Sequence, residues 1–254
     1  MRKLDYRVKQ QFKFYTLLSV FYAILMVTAQ AVAYRLIKIE NILEPGGIFI
    51  FPLTFAVNDI IAEVYGPTLA RRSIFISLFA QAFYSLIPIE VNLLPYPEWW
   101  HHAKDFQIVF GSSWLVFLSN LSAVLVGMVL NTQIIGKTKI LARGRLFYAR
   151  SLLSSAIGEF ILTAIIVAIA LVPVEGITTG IRLFVDMFLF KVGFSFLAGF
   201  PASFLVVLFK KLDNIDIYEE DISFNPLNSF LKKRSPKAEN VIDFASVVKQ
   251  KRQY

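Results

Sequence analysis

Residues 51–66 read FPLTFAVNDIIAEVYG. The segment is apolar enough to be surrounded on all sides. Yet it carries Asp59 and Glu63 one helical turn apart, so both carboxylates share a face with Phe55 a turn before them. Asn58 adjoins that face. Two ionised carboxylates so placed repel each other, and the pair calls for a proton, a cationic ligand or a base to neutralise it.

Long apolar runs lie on either side. A helix needs about 20 mainly apolar residues to cross a hydrocarbon core of about 30 Å. Six stretches qualify: residues 16–34, 48–65, 73–94, 106–130, 151–172 and 181–209. Each is apolar around most of its circumference, unlike the one-sided stripe of a helix on a soluble domain. They are too long, and alternate too little, for the tilted strands of a membrane barrel. Composition agrees: 56% of the residues are hydrophobic and 17% charged, where a soluble domain has about a quarter charged. The first run is read as a span and not a cleaved leader, because no small-x-small site opens a polar region after it. The expected fold is all-α, a polytopic membrane protein with six transmembrane helices. It divides into a cytoplasmic N-terminal segment (1–15), a membrane domain (16–209) and a cytoplasmic C-terminal tail (210–254).

The net charge of +8 is explained by where the cations fall. With a cytoplasmic N-terminus, the inside segments hold 21 of the 26 Lys and Arg residues, as the positive-inside rule requires. Both termini are therefore expected in the cytoplasm, and the charge calls for no direct nucleic-acid partner. Tyr96, Trp99 and Trp100 suit the outer headgroup layer; His101 and His102 beside them read more simply as interfacial residues than as a gate. In the tail, Asp216, Glu219, Glu220 and Asp221 form an acidic patch, followed by Asn225-Pro226 and the cluster 232–234. The spacing of Val241, Phe244, Ala245 and Val248 predicts a short amphipathic helix in an otherwise solvated tail.

Ionisable groups within spans are expensive and usually face a cavity or a partner. Asp59, Glu159 and Lys191 lie roughly 12–16 Å from the starts of their spans at 1.5 Å per residue, so three helices bring charge to a similar depth, as in a central polar site. The fifth span carries Ser151, Ser155, Glu159 and Thr163 at four-residue spacing; the third repeats the pattern with Ser73, Ser77, Gln81 and Ser85. The serines by themselves read as helix-packing residues, whereas Glu159, Gln81 and Asn120 point to a lined polar cavity. Pro201 is expected to kink the last span.

No catalytic constellation is present. There are no cysteines and only two histidines. The chain has no Gly-x-Ser-x-Gly elbow, P-loop or His-Glu-x-x-His. Catalytic residues, metal ligands and cofactors are therefore all expected to be none.

The pattern Phe51-Pro52-Leu53-Thr54-Phe55, Asp59, Glu63-Val64-Tyr65-Gly66 and Ala70-Arg71-Arg72 resembles the signature of the queuosine-precursor transporter family, also described as vitamin uptake transporters. Arg150-Ser151, Gly158, and Lys191 ten residues before Pro201 extend the resemblance along the membrane part. It departs at Asn131 and Leu162, where the family pattern often has an acid, and at Gln30, where it usually has Asn. The resemblance implies six-span inner-membrane proteins that import 7-cyano- or 7-aminomethyl-7-deazaguanine for salvage into tRNA modification. It also implies a fold similar to the substrate-binding subunits of energy-coupling-factor transporters.

The expected function is thus import of a small, flat, polar heterocycle. Asp59, Glu63, Asn58, Gln30, Gln81, Asn120, Glu159 and Lys191 supply donors and acceptors, with Phe55 and Tyr65 as stacking surfaces. Protons are an expected coupling partner through one carboxylate of the site, and a homo-oligomer is compatible with the chain. Two other readings share these features: a binding subunit of a multi-component vitamin-type transporter, and a membrane assembly factor that transports nothing.

Overall fold

The structure is a computed structural model that describes residues 12–33, 35–39, 42–111, 113–219 and 241–242. Six helical stretches within it are long and apolar enough to cross a membrane, in agreement with the sequence reading. Helix α1 spans Tyr15–Ala33. Strands β1 (Leu36–Ile39) and β2 (Ile42–Pro45) then form an antiparallel hairpin with Ile37 opposite Glu44, an element absent from the all-helical expectation. A 3-10 turn, Gly46–Phe49, leads into α2, Phe51–Tyr65. The α-helical part of the second span is therefore shorter than residues 48–65. It begins at Phe51, with Pro52 in the first turn, where the missing N–H costs nothing.

Gly66 alone separates α2 from α3 (Pro67–Asn92). Its φ of +92° suits glycine, and a Cβ there would lie 2.5 Å from Glu219 Oε1. The fourth span is divided, with α4 at Ala103–Phe110 and α5 at Ser113–Leu141. Helix α5 runs well past residue 130, carrying Lys137 and Lys139 on the helix and not in a loop. Helix α6, Phe147–Ile166, gives way to a π-helical turn at Val167–Leu171 and the single turn α7, Val172–Glu175. Helix α8 runs unbroken through Pro201 from Ile177 to Asp213. Its 37 residues make about 55 Å, longer than the hydrocarbon core.

The tail departs from expectation. Ile215, Asp216 and Ile217 are buried, and β3 (Asp216–Ile217) pairs antiparallel with β4 (Val241–Ile242). Val241 is thus in a strand and not a helix, because its partner is a distant backbone and not its own next turn. Phe244, Ala245, Val248, the rest of the acidic and basic patches, Tyr34 and the first eleven residues lie outside the described residues.

The layers follow from solvent. Apolar side chains such as Leu17, Ile24, Phe79, Leu189 and Phe204 are exposed on the perimeter, while Gln30, Asn58, Asp59, Glu63, Gln81, Glu159 and Lys191 are buried. Lipid tails solvate the perimeter as well as a protein core would, so apolar side chains lie outside as well as inside, where Tyr22, Phe55 and Ile61 pack among the polar groups. Helix α2 is the axis: thirteen of its fifteen residues are buried.

The tightest crossing joins α5 to α6. A Cβ at Gly127 would lie 2.7 Å from the Gly158 carbonyl oxygen, and one at Gly158 would lie 2.8 Å from the Phe55 ring and 2.9 Å from the Gly127 carbonyl. Backbone or packed ring would have to move in each case. Gly158→Ala is expected to cost about 1–3 kcal/mol by overpacking. Gly193→Ala, where a Cβ meets nothing within 4 Å, is expected to be neutral or to stabilise α8 by up to about 1 kcal/mol. Thermal unfolding of the two variants in detergent checks the contrast.

Candidate functional site

Helix α2 presents Phe55, Asp59 and Glu63 at successive turns, and each meets a different environment. At the C-terminal end of α2, Glu63 accepts from Arg150 Nη2 at 3.0 Å and Lys210 Nζ at 2.8 Å. Lys139 donates to the Glu63 carbonyl oxygen at 2.5 Å, to Asp216 Oδ1 at 2.6 Å and to the Ile217 carbonyl at 2.7 Å. Lys210 also lies 3.0 Å from Asp216. Tyr65 donates its hydroxyl to Asp213 Oδ2 at 2.6 Å, so its ring belongs to this end of the bundle, packed against Tyr15 and Phe12. Burial, with the Asp216 and Glu63 carboxylates adding to it, pushes the Tyr218 phenol up to about 12; it stays neutral over Lys139, 4.4 Å from its ring.

Two acids (Glu63, Asp216) thus meet three cations (Lys139, Arg150, Lys210) in one buried cluster, while Asp213 accepts from Tyr65 and from the Phe14 backbone N–H. The sequence reading counted those cations among the cytoplasmic segments. The long α5 and α8 instead fold their last turns inward, where cations also favour the helix C-terminus.

One turn along, Asp59 is held without a cation among the described residues. Asn131 donates to Oδ1 at 2.6 Å; Ser151 and Ser155 donate to Oδ2 at 2.5 and 3.2 Å. Those serines open the polar stripe of α6, and they bond a carboxylate instead of merely easing helix packing. Asn58 donates to Thr132 Oγ1 at 2.7 Å. A crevice of about 10 Å³ beside Ser151, Ser155, Ser195 and Ala56 has room for one water and no larger ligand.

The half of the bundle toward the hairpin is different in kind. Ser195 donates to Glu159 Oε1 at 2.7 Å, and Lys191 donates to Thr163 Oγ1 at 3.0 Å while sitting 5.3 Å from the Phe51 ring centre. Gln30 donates to Ser85 Oγ at 2.5 Å. Yet Gln30 Oε1, both polar atoms of Gln81, Glu159 Oε2 and both oxygens of Glu44 are buried with no partner among the described residues. Leaving a buried polar group unpaired costs about 1–3 kcal/mol, so a polar molecule would be stabilised beside these atoms; the Oδ1 atoms of Asn58, Asn131 and Asp213, nearer the ion-pair cluster, also lack a partner among the described residues. Asn120 is buried on α5, eleven residues and so three turns from Asn131, on the same face.

The sequence reading missed Glu44, which lies in a connection between spans, and the buried roles of Lys139, Arg150, Lys210, Asp213 and Asp216. For Arg150 a signal was present in its place directly before the polar stripe; for Glu44 there was none.

Six helices long and apolar enough to cross a membrane, around a polar interior, define a multi-pass membrane protein. The chain belongs to the family described as "putative vitamin uptake transporter", which it matches over residues 45–206. No curated protein and no solved structure matches it.

Glu63 is expected to depend on its bases. Arg150→Met leaves a buried carboxylate with one cation and is expected to cost about 3–5 kcal/mol. Adding Glu63→Gln to Arg150→Met is expected to recover part of that loss. The fraction of protein that stays monodisperse after heating in detergent checks both.

Proposed function

We propose that the chain imports a deazapurine precursor of queuosine, 7-cyano- or 7-aminomethyl-7-deazaguanine, across the cytoplasmic (inner) membrane, with both termini cytoplasmic and the hairpin outside. The observation that carries this reading is that Gln30, Gln81, Glu159 and Glu44 each hold buried, unpartnered polar atoms among the described residues, in a bundle that also buries Lys191, 5.3 Å from the Phe51 ring. A flat heterocycle rich in ring N–H, amino and carbonyl groups offers what these atoms lack, and the aromatic rings of α2 offer it a face. The crevice beside Ser151 and Ser155, about 10 Å³, is too small for a heterocycle, so binding there requires helices to part. That is the behaviour of an alternating-access site.

Asp59 is the carboxylate proposed to exchange a proton during transport, because its three partners are neutral donors, whereas Glu63 is held by two cations. The alternative reading of the chain as a binding subunit shares the same features, six helices and no P-loop of its own. Reconstitution of this chain alone separates the two: flux into liposomes supports autonomous transport, and binding without flux supports the subunit.

In a cell lacking both precursor synthesis and its own importer, the wild type is expected to restore queuosine in tRNA at low external precursor. Gln81→Ala is expected to raise the precursor concentration needed by about tenfold, the equivalent of about 1.4 kcal/mol. In proteoliposomes, uptake by the wild type is expected to respond to an imposed pH gradient, and Asp59→Asn to lose that response. No restoration of queuosine by the wild type removes the substrate assignment.

A further inference from the structure

Glu44 stands apart from the other acids of the interior. It comes from strand β2 of the hairpin and not from a span, and it lies one residue outside the stretch matched to the family. Its residue is 0% exposed, and both carboxylate oxygens are buried without a partner among the described residues. Glu159, by contrast, commits one oxygen to Ser195. The charged groups that act on Glu44 are Lys191 and Asp186, both of α8. Lys191 in turn feels Glu159 of α6. Burial pushes the Glu44 carboxyl up to about 7, with Lys191 opposing and Asp186 adding to the rise.

A carboxylate with both oxygens open is a bidentate acceptor, and it matches two parallel N–H donors. Lys191 Nζ is an ammonium with three donors, of which the Thr163 hydroxyl takes one. An acceptor pair beside a donor is complementary to a ring edge that runs donor, donor, acceptor. A 2-amino-4-oxopyrimidine ring has that edge: an exocyclic amine, a ring N–H and a carbonyl.

We propose that Glu44 is a substrate-binding residue, which takes the amine and ring N–H of a 2-amino-4-oxopyrimidine-type heterocycle while Lys191 takes its carbonyl. This rests on the reading of the chain as a deazapurine importer and names the atoms that would give it selectivity. The exocyclic amine is then the group that Glu44 senses. A site built to pair with a donor rejects the analogue that lacks it, because the carboxylate is left desolvated and unpaired.

The test measures binding to the full chain purified in detergent, with two probes: 7-cyano-7-deazaguanine and the same molecule without its 2-amino group. The wild type is expected to bind the first at least tenfold more tightly. Glu44→Gln is expected to lose at least tenfold for the first probe and little for the second, so that the discrimination collapses. Glu44→Asp keeps the charge, shortens the reach, and is expected to retain discrimination at reduced affinity; it serves if Glu44→Gln does not fold. Equal weakening of both probes by the substitution assigns Glu44 a structural role and overturns the proposal, as does unchanged discrimination. A wild type that binds both probes equally overturns the Glu44 assignment alone. A wild type that binds neither overturns the substrate reading, and this proposal with it.

Discussion

The Glu63 carboxylate sits at the C-terminal end of a helix buried on nearly every side, and Arg150 and Lys210 both reach it. Moving a carboxylate from water into a medium of low dielectric costs several kcal/mol even after relaxation, and only close, well-bonded partners offset that cost. The partners come from three helices and the chain beyond the last one. Arg150 opens α6, Lys210 closes α8, and Lys139 at the end of α5 ties Asp216 to the Glu63 backbone. Helix α2 is thereby fixed to α5, α6 and α8 at one end of the bundle. The strand after α8 is drawn across that end, where Glu219 accepts from the Thr68 backbone and hydroxyl at the start of α3.

With one end locked, the rest of α2 is graded. Glu63 is satisfied by charge and Asp59 by neutral hydroxyls and an amide. Beyond them, toward the hairpin, both polar atoms of Gln81 and both carboxylate oxygens of Glu44 have no partner among the described residues. The gradient is physically asymmetric. A cluster with every charge paired is rigid, while unpaired groups raise the energy of the closed arrangement and lower the cost of parting the helices around a polar guest. The close glycine crossing of α5 and α6 holds the wall of the site together from the back, with Gly158 packed against both Gly127 and Phe55. A transporter family, a locked end and an unsatisfied end fit one another as parts of a single device.

The number and place of the membrane helices were legible in the sequence, because hydrophobic length is a local property and the bilayer measures it. So was the polar stripe Ser151, Ser155, Glu159 and Thr163, since four-residue spacing on a helix fixes a common face whatever that face meets. The importance of Asp59 followed from the same reasoning. Several boundaries did not: α5 and α8 outlast their apolar runs because their basic last turns are buried against acids rather than solvated.

What the tertiary structure alone decided is the assignment of partners. Sequence placed Asp59 and Glu63 on one face as an equivalent pair; folding gave one of them three neutral donors and the other two cations, because Asn131, Ser151, Arg150 and Lys210 lie 72 to 147 residues away. Glu44 shows the limit most clearly. In a loop between spans nothing local distinguishes it from a solvated acid, and it becomes a buried carboxylate only because the hairpin folds back against α8. Hydrophobicity and helical period are written in neighbouring residues, whereas the neutralisation of a charge depends on which distant groups the fold brings within a few ångströms of it.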